Sequence, residues 1–140
     1  MQQLSGGCHC GNVAMDIELS REPGRFRPRV CDCDFCRRHG AAYISDAEGS
    51  LRFRIKDEQA LITYRQGSKQ AEFLVCRHCG VVLGVLYRNA GRLYAAVNAN
   101  TVDAAAGFGP NQPVSPQTLS AEQKARRWRD LWFSRVEGLA

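Results

Sequence analysis

The sequence has no apolar run near the roughly 20 residues that a membrane-spanning helix needs. Its opening residues, Met1-Gln-Gln-Leu-Ser-Gly-Gly, carry neither the basic segment nor the apolar stretch of a secretory signal. No internal repeat, low-complexity tract or long linker interrupts it. These absences argue against a helical membrane protein, a solenoid and a disordered chain. They point to a cytoplasmic protein forming one domain over residues 1–140, long enough to bury a core. An even cysteine count is also missing. Seven cysteines with no mark of secretion favour metal ligation or catalysis over a disulfide framework.

Acidic residues are the minority charge: 14 Asp and Glu face 19 Lys and Arg, a formal +5. That balance alone suggests an anionic partner. If the cysteines hold metal, however, seven thiolates carry more charge than two divalent ions return. Part of the basicity then serves as counter-charge, and nucleic acid is not the expected partner.

Period-two alternation dominates the chain. Val13, Met15, Ile17 and Leu19 alternate with Asn12, Ala14, Asp16 and Glu18, the pattern of a half-buried strand. Leu51, Phe53 and Ile55 alternate with Arg52, Arg54 and Lys56 in a second strand with a basic outer face. Shorter strands are expected at Ala42–Ser45, Leu61–Tyr64, Ala71–Cys76, Val81–Tyr87 and Leu93–Asn98. Arg21-Glu-Pro-Gly reads as a turn, and Arg88-Asn-Ala-Gly as the hairpin turn between the last two strands. The segment Ala104–Pro116, rich in Ala, Gly and Pro, reads as a loop.

One long helix is expected, over about 121–136. Ser120 and Gln123 form a capping-box pattern, and Gly138 is the expected stop. Ala121, Ala125, Trp128, Trp132 and Val136 make its apolar stripe, with Leu131 beside them; Lys124, Arg126, Arg127, Arg129 and Arg135 supply the polar side. The tryptophans are expected in the core. The fold class is mainly β with a C-terminal α-helix and a short helical turn near Cys36.

The cysteines fall into three groups. Cys8 and Cys10 are two apart, so on extended backbone both point to one face. Cys76-Arg-His-Cys79-Gly80 has the spacing of a zinc knuckle, with glycine relieving the backbone after the second ligand. Cys31-Asp-Cys33-Asp-Phe-Cys36 combines both spacings and is compact enough to share one ion. The two pairs then make a closed four-thiolate site, the structural type, while the trio leaves one position free, the catalytic type. Thiolate softness favours zinc over magnesium or calcium, and an iron–sulfur cluster is the metal alternative. A fourth ligand for the trio from His9, His39, His78, Asp32 or Asp34 stays open at this level.

Three segments carry a family resemblance: Gly7-Cys8-His9-Cys10-Gly11-Asn12-Val13, Cys31-Asp32-Cys33-Asp34-Phe35-Cys36-Arg37-Arg38, and Phe73-Leu74-Val75-Cys76-Arg77-His78-Cys79-Gly80. In order and type they resemble the glutathione-dependent formaldehyde-activating enzymes, also called the GFA or centromere-protein-V-like family, over about residues 4 to 135. The resemblance implies an Mss4-like fold of small antiparallel sheets around a structural zinc. It implies that zinc on Cys8, Cys10, Cys76 and Cys79, and a catalytic zinc on Cys31, Cys33 and Cys36. It also implies a carbon–sulfur lyase that reversibly adds a thiol such as glutathione to a small aldehyde.

For such a reaction the sequence offers Arg37 and Arg38 to offset the thiolate charge and hold a substrate carboxylate, and His39 to carry a proton. His9 and His78 are expected to face solvent or pack locally. A non-catalytic, zinc-stabilised binding module is the competing reading. Its basic surface would use Arg52, Arg54, Lys56 and the helix cations, with Tyr64, Tyr87 or Tyr94 stacking bases. A homodimer through the Trp-bearing helix is a third reading.

Overall fold

The computed structural model describes residues 2–103 and 107–139. Eleven strands and two α-helices follow one another as β1 (Gln2–Gly7), β2 (Val13–Leu19), β3 (Arg29–Cys31), α1 (Asp34–His39), β4 (Ala42–Ile44), β5 (Ser50–Ile55), β6 (Leu61–Tyr64), β7 (Ala71–Cys76), β8 (Val82–Asn89), β9 (Arg92–Asn98), β10 (Gln112–Val114), α2 (Ala121–Leu131) and β11 (Val136–Glu137). A short 3-10 turn at Pro23–Arg25 realises the expected Arg21–Gly24 turn. Every expected strand forms, most with bounds shifted by a residue or two. The hairpin between β8 and β9 turns on Ala90 and Gly91, both at positive φ (51° and 77°), as a two-residue turn of the primed type requires.

The strands form two sheets. One is ordered β1-β2-β5-β11 and the other β10-β3-β4-β9-β8-β7-β6. Most pairings are antiparallel, but each sheet ends in a short parallel strand, β11 on β5 and β10 on β3. Alternation sorts side chains between two cores. Val13, Met15, Ile17 and Leu19 of β2 pack with Leu74, Leu83, Ala95 and Val97 of the larger sheet. The other face of that sheet turns Phe73, Val85, Tyr87, Tyr94 and Ala96 toward Trp128 and Trp132. It is this second core that the candidate site adjoins.

Four strands escape the sequence pattern: β1, β3, β11 and β10. The last falls within the segment expected as a loop and corrects it, because Gln112–Val114 pairs with Arg29–Cys31; Ala104–Ala106 lie outside the described residues. The helix is corrected too. Its capping box forms, with Ser120 Oγ accepting from the Gln123 N–H at 3.2 Å and Gln123 Oε1 from the Ser120 N–H at 2.9 Å. It ends at Leu131, five residues short of Val136. Trp132 is extended (ψ 159°), Phe133 bridges to Ala95, and Val136 enters β11 beside Leu51. Local periodicity therefore continues past the point where sheet pairing takes the backbone. Gly138 does not stop the helix. It sits at φ +90° against β5, where a Cβ would lie 1.9 Å from the Phe53 carbonyl oxygen.

Candidate metal centres and active-site cavity

Cys8 and Cys10 lie in the turn between β1 and β2; Cys76 closes β7 and Cys79 lies in the turn that follows it. Gly11 (φ +83°) and Gly80 (φ +77°) give both turns their left-handed residue. Backbone bonds fix the sulfurs: the Cys8 N–H donates to Val13 O at 3.0 Å, and the Gly80 N–H to Cys76 O at 2.8 Å. The Val13 N–H donates to Cys8 Sγ at 3.3 Å. The four sulfurs lie within 4.8 Å of one another, with Cys8–Cys10 and Cys10–Cys76 at 3.6 Å. Tetrahedral zinc with Zn–S near 2.3 Å places sulfurs about 3.8 Å apart. The donor set and its spacing therefore fit zinc. His9 and His78 are exposed, with His78 Nε2 3.4 Å from Asp57.

Cys31 closes β3, Cys33 caps α1 and Cys36 follows one turn later, its N–H donating to Cys33 Sγ at 3.4 Å. These three sulfurs also converge within 4.8 Å. The hydrogen bond from Cys36 dominates the Cys31 thiol and, against the opposing effect of burial, brings it down to about 6. The same partnership pushes Cys36 up. Cys36 Sγ lies 3.3 Å from the buried Tyr43 hydroxyl.

Among the described residues no His, Asp or Glu joins this trio as a fourth ligand. Asp32 accepts a hydrogen bond from Ser115. Asp34 pairs with Arg37 at 3.1 Å and Arg38 at 3.2 Å. His39 is exposed and packs on the Phe35 ring, 4.5 Å between centroids.

A cavity of about 350 Å³ opens beside the trio, lined by all three cysteines. Tyr43, Phe73, Trp128 and Trp132 form its apolar walls. Its cations are Arg29, Lys124 and Arg127; Arg37, Arg38 and His39 are not among its lining residues. Arg29 donates to Ser45 Oγ at 2.7 Å. Burial, assisted by the charge of Arg127, brings Arg29 down to about 10. Burial lowers Arg127 as well, with Cys31 opposing.

Lys124 and Arg127 thus leave the solvated face expected for them. The available signal was their i, i+3 spacing along the edge of the Trp stripe. Arg29 carried no signal, since β3 is three residues long and nothing local announces it. Of the surface set aside for a binding module, Arg54 is bonded to Asp16 at 2.9 Å, and Tyr87 and Tyr94 are buried. Trp128 and Trp132 are in the core, as expected.

The family model for the glutathione-dependent formaldehyde-activating enzyme matches residues 3–118. The chain belongs to this family. Its mainly β architecture with a C-terminal helix and paired cysteine clusters is consistent with the Mss4-like fold of GFA proteins. A solved crystal structure of a Rhodobacter sphaeroides protein is similar, at 29% identity and a TM-score of 0.57, covering 77% of this chain and 99% of that one. The GFA match stops before α2, so the helix carrying Lys124, Arg127, Trp128 and Trp132 lies beyond it. No helix among the described residues is long and apolar enough to cross a membrane.

Proposed function

We propose that the protein is a zinc-dependent, carbon–sulfur lyase-like enzyme that reversibly adds a thiol, such as glutathione, to a small aldehyde. The observation that carries this reading is the contrast between the two cysteine clusters. Four sulfurs converge outside the lining of the 350 Å³ cavity; three converge on its wall, with no fourth protein ligand among the described residues. A closed set suits a structural ion and an open set a catalytic one. GFA membership supports the same chemistry.

In the forward direction the thiol sulfur forms a bond to the carbonyl carbon, the C=O π bond breaks, and the thiol proton passes to oxygen. The reverse step restores both reactants. Zinc on the trio would supply Lewis acidity that favours thiolate over thiol near neutral pH. The chain's own residues position the reactants. Arg29, Lys124 and Arg127 make the cavity positive beside an anionic nucleophile. Trp128, Trp132 and Phe73 keep water from its inner wall. The Tyr43 hydroxyl, 3.3 Å from Cys36 Sγ, can donate to that thiolate and hold its orientation. Arg37 and Arg38 act one step back, by fixing Asp34 at the cavity edge.

The test is exchange spectroscopy on zinc-loaded protein with glutathione and formaldehyde. Exchange between free aldehyde and hydroxymethyl adduct should exceed the uncatalysed rate and fall to it in Cys33→Ser. A rate equal to the uncatalysed one in the unmodified protein would remove this thiol–aldehyde pair.

A further inference from the structure

Arg29 and Arg127 meet at one cavity from β3 and α2, close enough for the charge of one to disfavour that of the other. Neither has a carboxylate partner among the ion pairs of the described residues. Lys124 adds a third positive group. The one acid of the lining, Asp34, is already held by Arg37 and Arg38. Three thiolates around a divalent ion carry a formal charge of about minus one, which does not balance three cations. Half-buried guanidinium groups with no anion of their own point to an anion supplied from outside.

Apart from Gln66, Ser68 and Gln117, the rest of the wall is of opposite character. Trp128 and Trp132 stack with centroids 5.2 Å apart, and both line the cavity with Phe73 and Val85. A tripeptide such as glutathione brings two carboxylates, an ammonium group and two peptide units. This wall offers that ammonium no free carboxylate, since Asp34 is held by Arg37 and Arg38. Burying such a group without a partner costs affinity. A small ligand with one anionic group and one aromatic or bulky apolar body satisfies both halves of the cavity.

We propose that α2 makes this site selective for an aromatic or bulky apolar carboxylate, with Arg127 and Arg29 holding the carboxylate and Trp128 and Trp132 covering the body. This rests on reading the trio as the reaction centre and names the class to which one of the two reactants belongs. Arg127 is a specificity-determining residue in this account, and it lies beyond the part of the chain that matches the family.

Both tryptophans of the chain line the cavity, so intrinsic fluorescence reports its occupancy directly. Zinc-loaded protein is titrated with phenylacetate, benzyl alcohol, acetate and glutathione. Phenylacetate should give a saturable change at a concentration about tenfold or more below either benzyl alcohol or acetate, the scale of one charge-assisted hydrogen bond or one buried ring. Arg127→Gln should weaken phenylacetate about tenfold, leave benzyl alcohol unchanged and keep the zinc content of the unmodified protein.

Equal binding of phenylacetate and acetate, tighter binding of glutathione than of phenylacetate, or an Arg127→Gln variant that binds phenylacetate normally would each overturn the proposal. Should that variant fail to fold, the ligand series on the unmodified protein decides alone. Selective phenylacetate binding without exchange of glutathione and formaldehyde would remove that reactant pair and keep the selectivity. Exchange with glutathione and formaldehyde, but no preference for phenylacetate, would do the reverse.

Discussion

Phe133 and Ala95 exchange two backbone hydrogen bonds, N to O at 2.9 Å in one direction and 3.0 Å in the other. This bridge takes the chain out of α2 and onto β9, and it leaves Trp132 turned into the cavity wall. Phe133 itself is fully buried in the core that joins the two sheets. Phe133→Ala should therefore destabilise the protein by about 3–5 kcal/mol. It should also shift tryptophan emission to longer wavelength under native conditions, as the α2 anchor loosens. Urea denaturation measures the first; a loss below about 1 kcal/mol would show that the bridge, not the side chain, holds α2.

The two cysteine clusters should separate in stability. Cys79→Ser removes a sulfur from the set that joins the β1–β2 turn to the end of β7, where loss of a bound metal would remove folding free energy directly. Cys33→Ser removes a ligand at the cavity. Native mass spectrometry should show two zinc ions in the unmodified protein and one in Cys33→Ser. Thermal melts should place Cys79→Ser well below Cys33→Ser. The opposite order would reassign the structural role to the trio.

Two left-handed glycines should respond differently to alanine. Gly40 caps α1 at φ +62° with open space where a Cβ would go, so Gly40→Ala costs about 1–2 kcal/mol for the backbone alone. Gly138 adds a collision with the Phe53 backbone, so Gly138→Ala requires the end of the chain to move and costs more than about 3 kcal/mol. Chemical denaturation of the pair decides; equal losses would mean that the contact with Phe53 does not constrain the terminus.

Acid stability should depend on Asp16. Its hydrogen bond to Arg54 across β2 and β5 holds the carboxyl below its usual range. A group depressed in the folded state contributes stability above its unfolded pKa of about 3.9. That contribution disappears as pH falls through the folded value. Asp16→Asn should melt lower than the unmodified protein at neutral pH, with the gap closing below about pH 4. Parallel melting curves down to the acid limit would exclude a role for this pair.

The strongly alternating strands were legible because each buries one face locally; Val13 to Leu19 shows it residue by residue. The cysteine clusters were legible because each half is set by a tight turn of fixed spacing. β1, β3 and β10 were not, since Gln2–Gly7, Arg29–Cys31 and Gln112–Val114 have little pattern of their own and exist by pairing with other segments. The helix end was misplaced for the converse reason: Trp132 and Val136 satisfy a helical stripe, yet Ala95 and Leu51 offer the backbone better partners. The cavity cations were hidden by distance along the chain. Arg29 and Arg127 become neighbours only when α2 folds over the larger sheet, and no motif spans that separation.

The four-cysteine cluster also bears on how quickly the chain reaches this fold. Cys10 and Cys76 stand 66 residues apart in sequence with their sulfurs in contact range. An ion captured by both turns before the sheets assemble would close that long loop in advance. The entropic cost of closure would then already be met when the distant strands β2 and β7 begin to pack. Topologies rich in such remote contacts fold slowly when the search is unaided. A metal ion on this cluster would thus act as a kinetic guide during refolding as well as a brace in the finished molecule.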